Sequence, residues 1–339
     1  DGWSYADVAP HFEQLETPPQ DDPGAPHLSV TDNSADFHPM GSDFLEICRQ
    51  GQLPVCDAPA REGIGITPYL TTTRDGQRCS SAKAFLRPAL RRRNLTVVTG
   101  AHVSRIGFEG TRARSVSYSR NGQDFKVRAG AEIILAAGAV GSPQILQLSG
   151  VGDARYLQSI GIRSVHNAPH VGRHLKDHYG INYIFKSKQK TLNDVFGNWP
   201  GRMMAGIEYL LRRSGPLSLS VNQLGGLVKS SASLDRPDTQ IYMNPLSYQT
   251  FHKGRRKLMK PDNFSGFVLG FNSCRPKSEG TVSITSSRPG EAPSIRPNYL
   301  DHEDDRDEAL AMARLIERLM ATPAFTGILA DEPVTPLDK

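Results

Sequence analysis

Apolar positions along the chain change period, and the changes mark its elements. Tyr5, Val8, Phe12 and Leu15 fall at helical spacing and predict a short amphipathic helix over 3–16. A turn-rich stretch covers 17–26, and Phe44, Leu45 and Ile47 predict a second helix before Pro54. Residues 63–73 read as extended and 80–90 as helical. A β section follows: 95–99 and 103–108 are strand-like, and 115–118 with 125–128 form the arms of a hairpin at Asn121-Gly122. That dipeptide tolerates the positive φ that tight hairpin turns need. The run Glu132-Ile133-Ile134-Leu135-Ala136-Ala137 has the continuous apolar character of a strand buried on both faces. A short helix over 154–160 then closes on Gly161.

From about Tyr179 the texture changes. Strand-like pieces at 181–185, 241–243, 267–271 and 280–284 are separated by long Pro-, Ser- and Lys-rich connections, with one helical stretch at 204–212. A last helix is marked by Ala309, Met312, Ala313, Ile316 and Met320 on one face. The fold class is therefore α/β in the first part, α+β overall, with a mostly antiparallel second domain.

The densest signal is Gly138-Ala139-Val140-Gly141-Ser142-Pro143-Gln144-Ile145-Leu146-Gln147-Leu148-Ser149-Gly150-Val151-Gly152. Ala136, Ala137 and Gly138 remove side-chain bulk where the apolar strand ends, so another group can approach the backbone closely. Ser142 suits a helix N-cap, Pro143 the first turn and Gly150 the C-cap. Strand, small-residue turn and helix start together are a place where α/β proteins bind cofactors.

This string resembles the second signature of the glucose–methanol–choline (GMC) oxidoreductases, FAD-dependent enzymes that act on alcohols. The likeness extends over nearly the whole chain, through Trp3-Ser4-Tyr5, Gly76-Gln77-Arg78-Cys79-Ser80-Ser81-Ala82, His102-Val103-Ser104-Arg105-Ile106, Pro276-Lys277-Ser278-Glu279-Gly280 and Pro297-Asn298-Tyr299-Leu300. It implies part of an FAD-binding Rossmann-like domain at 77–175, a substrate-binding or cap region at 1–76 and 176–300, and a helix returning to the FAD domain at 301–339. It also implies that Val103 touches FAD through its backbone and that Ala137 and Gly138 lie along the nucleotide.

A complete family member carries a strand–GxGxxG–helix unit and, near its C-terminus, a catalytic histidine that takes the hydroxyl proton while the adjacent carbon gives hydride to flavin N5. Neither feature is found in this sequence. The resemblance thus implies the middle of a family member, inactive alone, with no catalytic residue in this chain. Its partners would be a small-molecule alcohol and an electron acceptor, oxygen or a carrier. Two other readings are a hydroxynitrile-lyase-like relative that keeps FAD and a non-catalytic remnant. Some of Tyr242, Asn244, Phe267 and Phe271 are candidates to face the substrate, although plain sheet packing explains them better.

Composition adds bounds. Hydrophobic content of 38% and charged content of 22% fit a globular protein with real cores. The net charge of +5 gathers at Arg91-Arg92-Arg93 and 253–257, and neither cluster is interleaved with aromatics, so nucleic acid is not an expected partner. No run approaches the roughly twenty apolar residues of a membrane span. The four cysteines form no CxxC pair, which suits reduced thiols in a cytosolic protein. His166, His170, His174 and His178 recur every fourth residue, but Pro169 and Gly172 break any helix that could aim them at a metal. Within that loop, Val171-Gly172-Arg173-His174-Leu175-Lys176-Asp177-His178 resembles the family's Val-Gly-x-Asn-Leu-x-Asp-His, with His174 in place of asparagine. Gly63-Ile64-Gly65 starts a GxGxxG but ends it at Pro68, and Gly141-Ser142-Pro143 is no hydrolase elbow.

Overall fold

The computed structural model describes every residue except 1, 19–21, 23, 60–63, 254–255, 332–333 and 335–339. Gly63, part of the glycine pair, and residues 254–255 of the second basic run thus lie outside the described residues. The helices used below are α1 (Tyr5–Glu16), α2 (Met40–Gln50), α3 (Gly138–Leu148), α4 (Ala154–Ser159), α5 (Trp199–Arg212), α6 (Glu303–Met320) and α7 (Pro323–Ile328). The strands are β1 (Gly65–Pro68), β2 (His102–Glu109), β3 (Arg112–Arg120), β4 (Gln123–Arg128), β5 (Gly180–Lys186), β6 (Leu224–Val228), β7 (Thr239–Asn244), β8 (Gly266–Ser273), β9 (Thr281–Ser283) and β10 (Ser294–Arg296). The chain divides into two compact units: Asp1–Leu95 with Gly180–Arg275 and Glu308–Lys339, and Thr96–Tyr179 with Pro276–Asp307.

The first unit is built on an antiparallel sheet in the order β1-β6-β7-β8-β5. Side chains alternate across a strand, so each strand offers two different faces. Ile241 and Met243 of β7 stand beside Phe271 and Leu269 of β8, and Phe267 faces Phe185 of β5. This face packs against Met40, Phe44 and Ile47 of α2, Met312, Leu315, Ile316 and Leu319 of α6, and Phe325 and Ile328 of α7. The rings of Phe185, Phe267 and Phe325 meet at centroid distances of 5.1–5.8 Å, two of the three contacts edge-on. Met312, Leu315, Ile316 and Leu319 follow the i, i+3, i+4, i+7 rule of a core-facing helix. Helix α1 forms where expected, with Ser4 and Asp7 closing a capping box, but none of its residues is buried.

The second unit holds the antiparallel sheet β2-β3-β4, helix α3 packed on β2, and the small hairpin β9-β10. Its core is Leu148, Leu157, Ile162 and Ile284. The hairpin turn falls at Asn121 (φ 52°) and Gly122 (φ 78°), as the dipeptide required.

Two strand expectations fail. Residues 95–99 and 132–137 take no regular structure, and Ile134 is 80% exposed. A strand apolar on both faces needs neighbouring strands to take its hydrogen bonds, and among the described residues none pairs with either segment.

Phe325→Ala is expected to cost about 3–5 kcal/mol in denaturant unfolding, because it leaves a cavity against Phe185 and Phe267. Phe12→Ala on the exposed α1 is expected to stay within about 0.5 kcal/mol.

Candidate functional site

Helix α3 begins at Gly138, four residues before the expected cap. Ser142 lies inside the helix, and its Oγ accepts the N–H of Ala137 at 3.1 Å. The serine still serves the helix start, from the first turn backwards. Gly138 has a φ of +80°, and a Cβ placed there would meet nothing within 4 Å. The turn therefore needs glycine for its backbone, while the space beside it is open.

The remaining polar residues of the signature hold α3 in place. Gln147 is buried; its Nε2 donates to Val282 O at 2.9 Å and its Oε1 accepts from Ile284 N at 3.0 Å. Ser149 Oγ donates to Ile145 O at 2.5 Å and accepts from Ile106 N of β2 at 2.8 Å. At Gly150 (φ +87°) a Cβ would stand 2.5 Å from Arg163 O. At Gly172 (φ +82°) one would strike Val282 O and the Gln147 amide. These glycines are required by close backbone approach as well as by φ.

Val103 is half-buried on β2, opposite Tyr118 of β3. Val103 lies on β2, and Ala137 and Gly138 lie at the N-terminal end of α3, the helix that packs on β2. Among the described residues no hydrogen bond joins Val103 to the other two.

The loop that resembles Val-Gly-x-Asn-Leu-x-Asp-His explains its own exception. His174 has φ +56°, a left-handed conformation in which Asn and His are both enriched. Its Nδ1 contacts the Glu279 carboxylate, its Nε2 lies 3.1 Å from His170 Nδ1, and Lys176 Nζ lies 3.3 Å from Glu279. The hydrogen bond from His174, then that from Lys176, holds the Glu279 carboxyl below its ordinary range. Among the described residues no group of three or more His, Cys, Asp or Glu is placed to hold a metal ion.

Asp305, in the first turn of α6, does more than complement the helix dipole. It is buried and accepts the backbone N–H groups of Lys277 at 2.7 Å and Ser278 at 2.8 Å, just before Glu279. Burial alone would raise its carboxyl, but those N–H groups outweigh it and the net shift is downward.

In the first unit the sheet face opposite the core is polar. Tyr242 Oη donates to Asn182 Oδ1 at 2.9 Å, and Gln240 Nε2 donates to Tyr69 Oη at 2.9 Å. Burial raises the Tyr69 phenol to about 12. Gly225 and Gly270 make room for the two rings; a Cβ at Gly270 would come within 2.8 Å of Tyr242. Asn244 shares this face, and its buried Oδ1 has no hydrogen-bond partner among the described residues. A cavity of about 740 Å³ is lined by Tyr69 and Gln240 together with Thr71, Arg78, Tyr209 and Asn222, among others. Of the four residues expected here, Phe267 and Phe271 belong instead to the packed core, because strand alternation turns them to the other face. Tyr69, Gln240 and Asn182 were missed. Their signal was glycine inside two strands, the Gly225-Gly226 pair in β6 and Gly270 in β8, which marks close approach by a neighbour.

Comparison with known proteins bears on this arrangement. GMC oxidoreductase family models match residues 1–180 and 276–338. The chain belongs to the GMC oxidoreductases. Similar relatives include "Alcohol dehydrogenase [acceptor]" of Pseudomonas putida, 32% identical over 334 residues that cover 95% of this chain and 59% of that protein. Mitochondrial choline dehydrogenase of Homo sapiens is 32% identical over 341 residues, covering 98% of this chain and 55% of that protein. The chain thus spans less than two thirds of the length of these relatives. Among solved structures, formate oxidase superposes with a TM-score of 0.85 at 20% identity, covering 100% of this chain and 65% of that one. Pyridoxine 4-oxidase from Mesorbium loti gives 0.78 at 23%, covering 98% and 62%. The GMC fold is therefore the fold of this chain.

Asp305→Asn is expected to lower stability at pH 7 by about 1–3 kcal/mol, the range for losing hydrogen bonds to a charged group. A carboxyl lowered on folding contributes fully above its unfolded pKa of about 3.9 and loses that contribution as pH falls. The gap between native and variant should therefore close below about pH 4 in pH-resolved thermal unfolding.

Proposed function

We propose that this chain contributes the cofactor wall and the substrate sheet of an FAD-dependent oxidoreductase acting on the CH–OH group of a small alcohol. Membership of the GMC family supports this reading, and the open, left-handed turn at Gly138 carries it. Ala137 and Gly138 offer a dinucleotide a backbone without side-chain bulk, and Val103 offers the backbone of β2. These features fit FAD, which when bound would accept hydride from the substrate carbon. Ser142, Gln147 and Ser149 would keep that wall rigid. Turnover is expected only of a protein that also supplies a pyrophosphate loop and a general base, so the 339 residues alone should be inactive.

On the substrate side, Tyr242, Gln240 and Asn182 would orient a hydroxyl. The cavity that Gln240 lines also contains Arg78, and no Asp or Glu is among its lining residues. An uncharged alcohol suits that lining better than a quaternary ammonium such as choline.

In the full-length protein, Gly138→Ala is expected to weaken FAD binding at least about tenfold in flavin-fluorescence titrations, since a methyl group would enter the nucleotide's place. Gly161 has the same φ of +80° and the same free space. Gly161→Ala therefore matches the backbone strain and should leave FAD affinity unchanged. Equal losses in both variants would contradict the assignment.

A further inference from the structure

Helix α5 turns the wrong face outward for a helix of a globular surface. Ala205 is buried and Gly201, Glu208 and Tyr209 are half-buried, so the small and polar stripe faces the protein. A Cβ at Gly201 would strike Val195 O, which shows how closely that stripe is seated. Trp199 (72% exposed), Met203, Met204, Ile207, Leu210 (70%) and Leu211 (79%) lie in the open. At 100° per residue these six fall within about 140° of arc, a continuous apolar stripe. Exposed apolar patches of this kind mark interaction surfaces.

Charge identifies the partner. Arg202 flanks the stripe, and Arg212 and Arg213 close its C-terminal end. Arg202 Nε donates to Phe196 O at 2.5 Å, and the Arg213 guanidinium lies 5.0 Å from the Tyr209 ring centroid. None of the three is ion-paired among the described residues. Glu208, the one acid in the helix, is turned inward towards Ser214 and Gly215. A second copy docking stripe to stripe by twofold symmetry would bring these arginines against a helix that offers no outward acid. At 14 residues the helix is too short to span a bilayer, and no described helix is long and apolar enough to do so. An apolar stripe with tryptophan at one end and arginines at its edges matches a helix that lies in the plane of a lipid–water interface.

We propose that α5 is a membrane-surface anchor that seats its Trp199–Leu211 stripe in an anionic phospholipid surface, with Arg202, Arg212 and Arg213 against the headgroups. The test is flotation of the full-length protein with vesicles of phosphatidylcholine containing about 30% phosphatidylglycerol. Binding is expected to these vesicles, to weaken with added salt, and to be at least about tenfold weaker to pure phosphatidylcholine. Leu210→Glu with Leu211→Glu should abolish it; both positions are exposed, so an unchanged melting temperature confirms the fold. Arg202→Gln with Arg213→Gln should weaken it by about fivefold for each charge removed. The part of the tryptophan emission that is lost in a Trp199→Phe variant should shift to the blue when vesicles are added. Absence of binding to anionic vesicles, or equal binding by the Leu210→Glu/Leu211→Glu variant, would overturn the proposal. So would a vesicle-independent dimer that this variant dissolves, which would assign the stripe to a second copy. A Trp199 emission already blue-shifted without vesicles, with no binding, would assign it to another part of the same polypeptide.

Discussion

The side-chain amide of Gln147 is buried and uses its donor and its acceptor on one neighbouring strand, at Val282 O and Ile284 N. A buried amide that lost these partners would cost about 1–3 kcal/mol for each group left unpaired. Gly172 exists as glycine because any side chain would occupy the space of this bond. Ser149 performs the equivalent service at Ile106, so helix α3 is fastened to β2 on one side and to β9 on another. With its C-terminal half held in this way, α3 can leave its N-terminal turn at Gly138 open without losing its place. The signature is thus a clamp with an opening at one end, and only the opening is offered to a ligand.

This division of labour separates what the sequence carries locally from what only packing supplies. The Asn121-Gly122 turn and the apolar stripes of α2 and α6 are local signals, and they appear where the pattern put them. Ser142 was legible as a helix-start residue, but its register was not, because it reaches back five residues to Ala137 from inside the helix. The runs at 95–99 and 132–137 carry strand composition without strand pairing among the described residues. Their local preference is real, yet a strand exists only with a neighbour. Gln147 looked like one more residue of a motif; its role depends on Val282, 135 positions away.

The substrate sheet shows the same limit in another form. Alternation tells that Tyr242 and Phe271 point to opposite sides only once the register of β7 against β8 is known, with Tyr242 beside Gly270 and Ile241 beside Phe271. Phe267 and Phe271 then fall in the aromatic core, and Tyr242, Gln240 and Asn182 form the polar face. Helix α5 inverts the usual inference altogether: its periodicity is that of a core helix, and its apolar side is the one left in the open. In both places the sequence pattern finds the stripe, and packing decides what the stripe is for.

Replacement of Gln147 by leucine, similar in size and unable to hydrogen bond, probes the clamp most directly. Denaturant unfolding and FAD titration of the same full-length variant would be read together. A stability loss of about 2–4 kcal/mol is expected, from two unpaired backbone groups, together with FAD binding weakened by about tenfold or more although Gln147 stands at the far end of α3 from Gly138. Unchanged stability, or a destabilised variant that binds FAD as tightly as the native protein, would contradict the clamp.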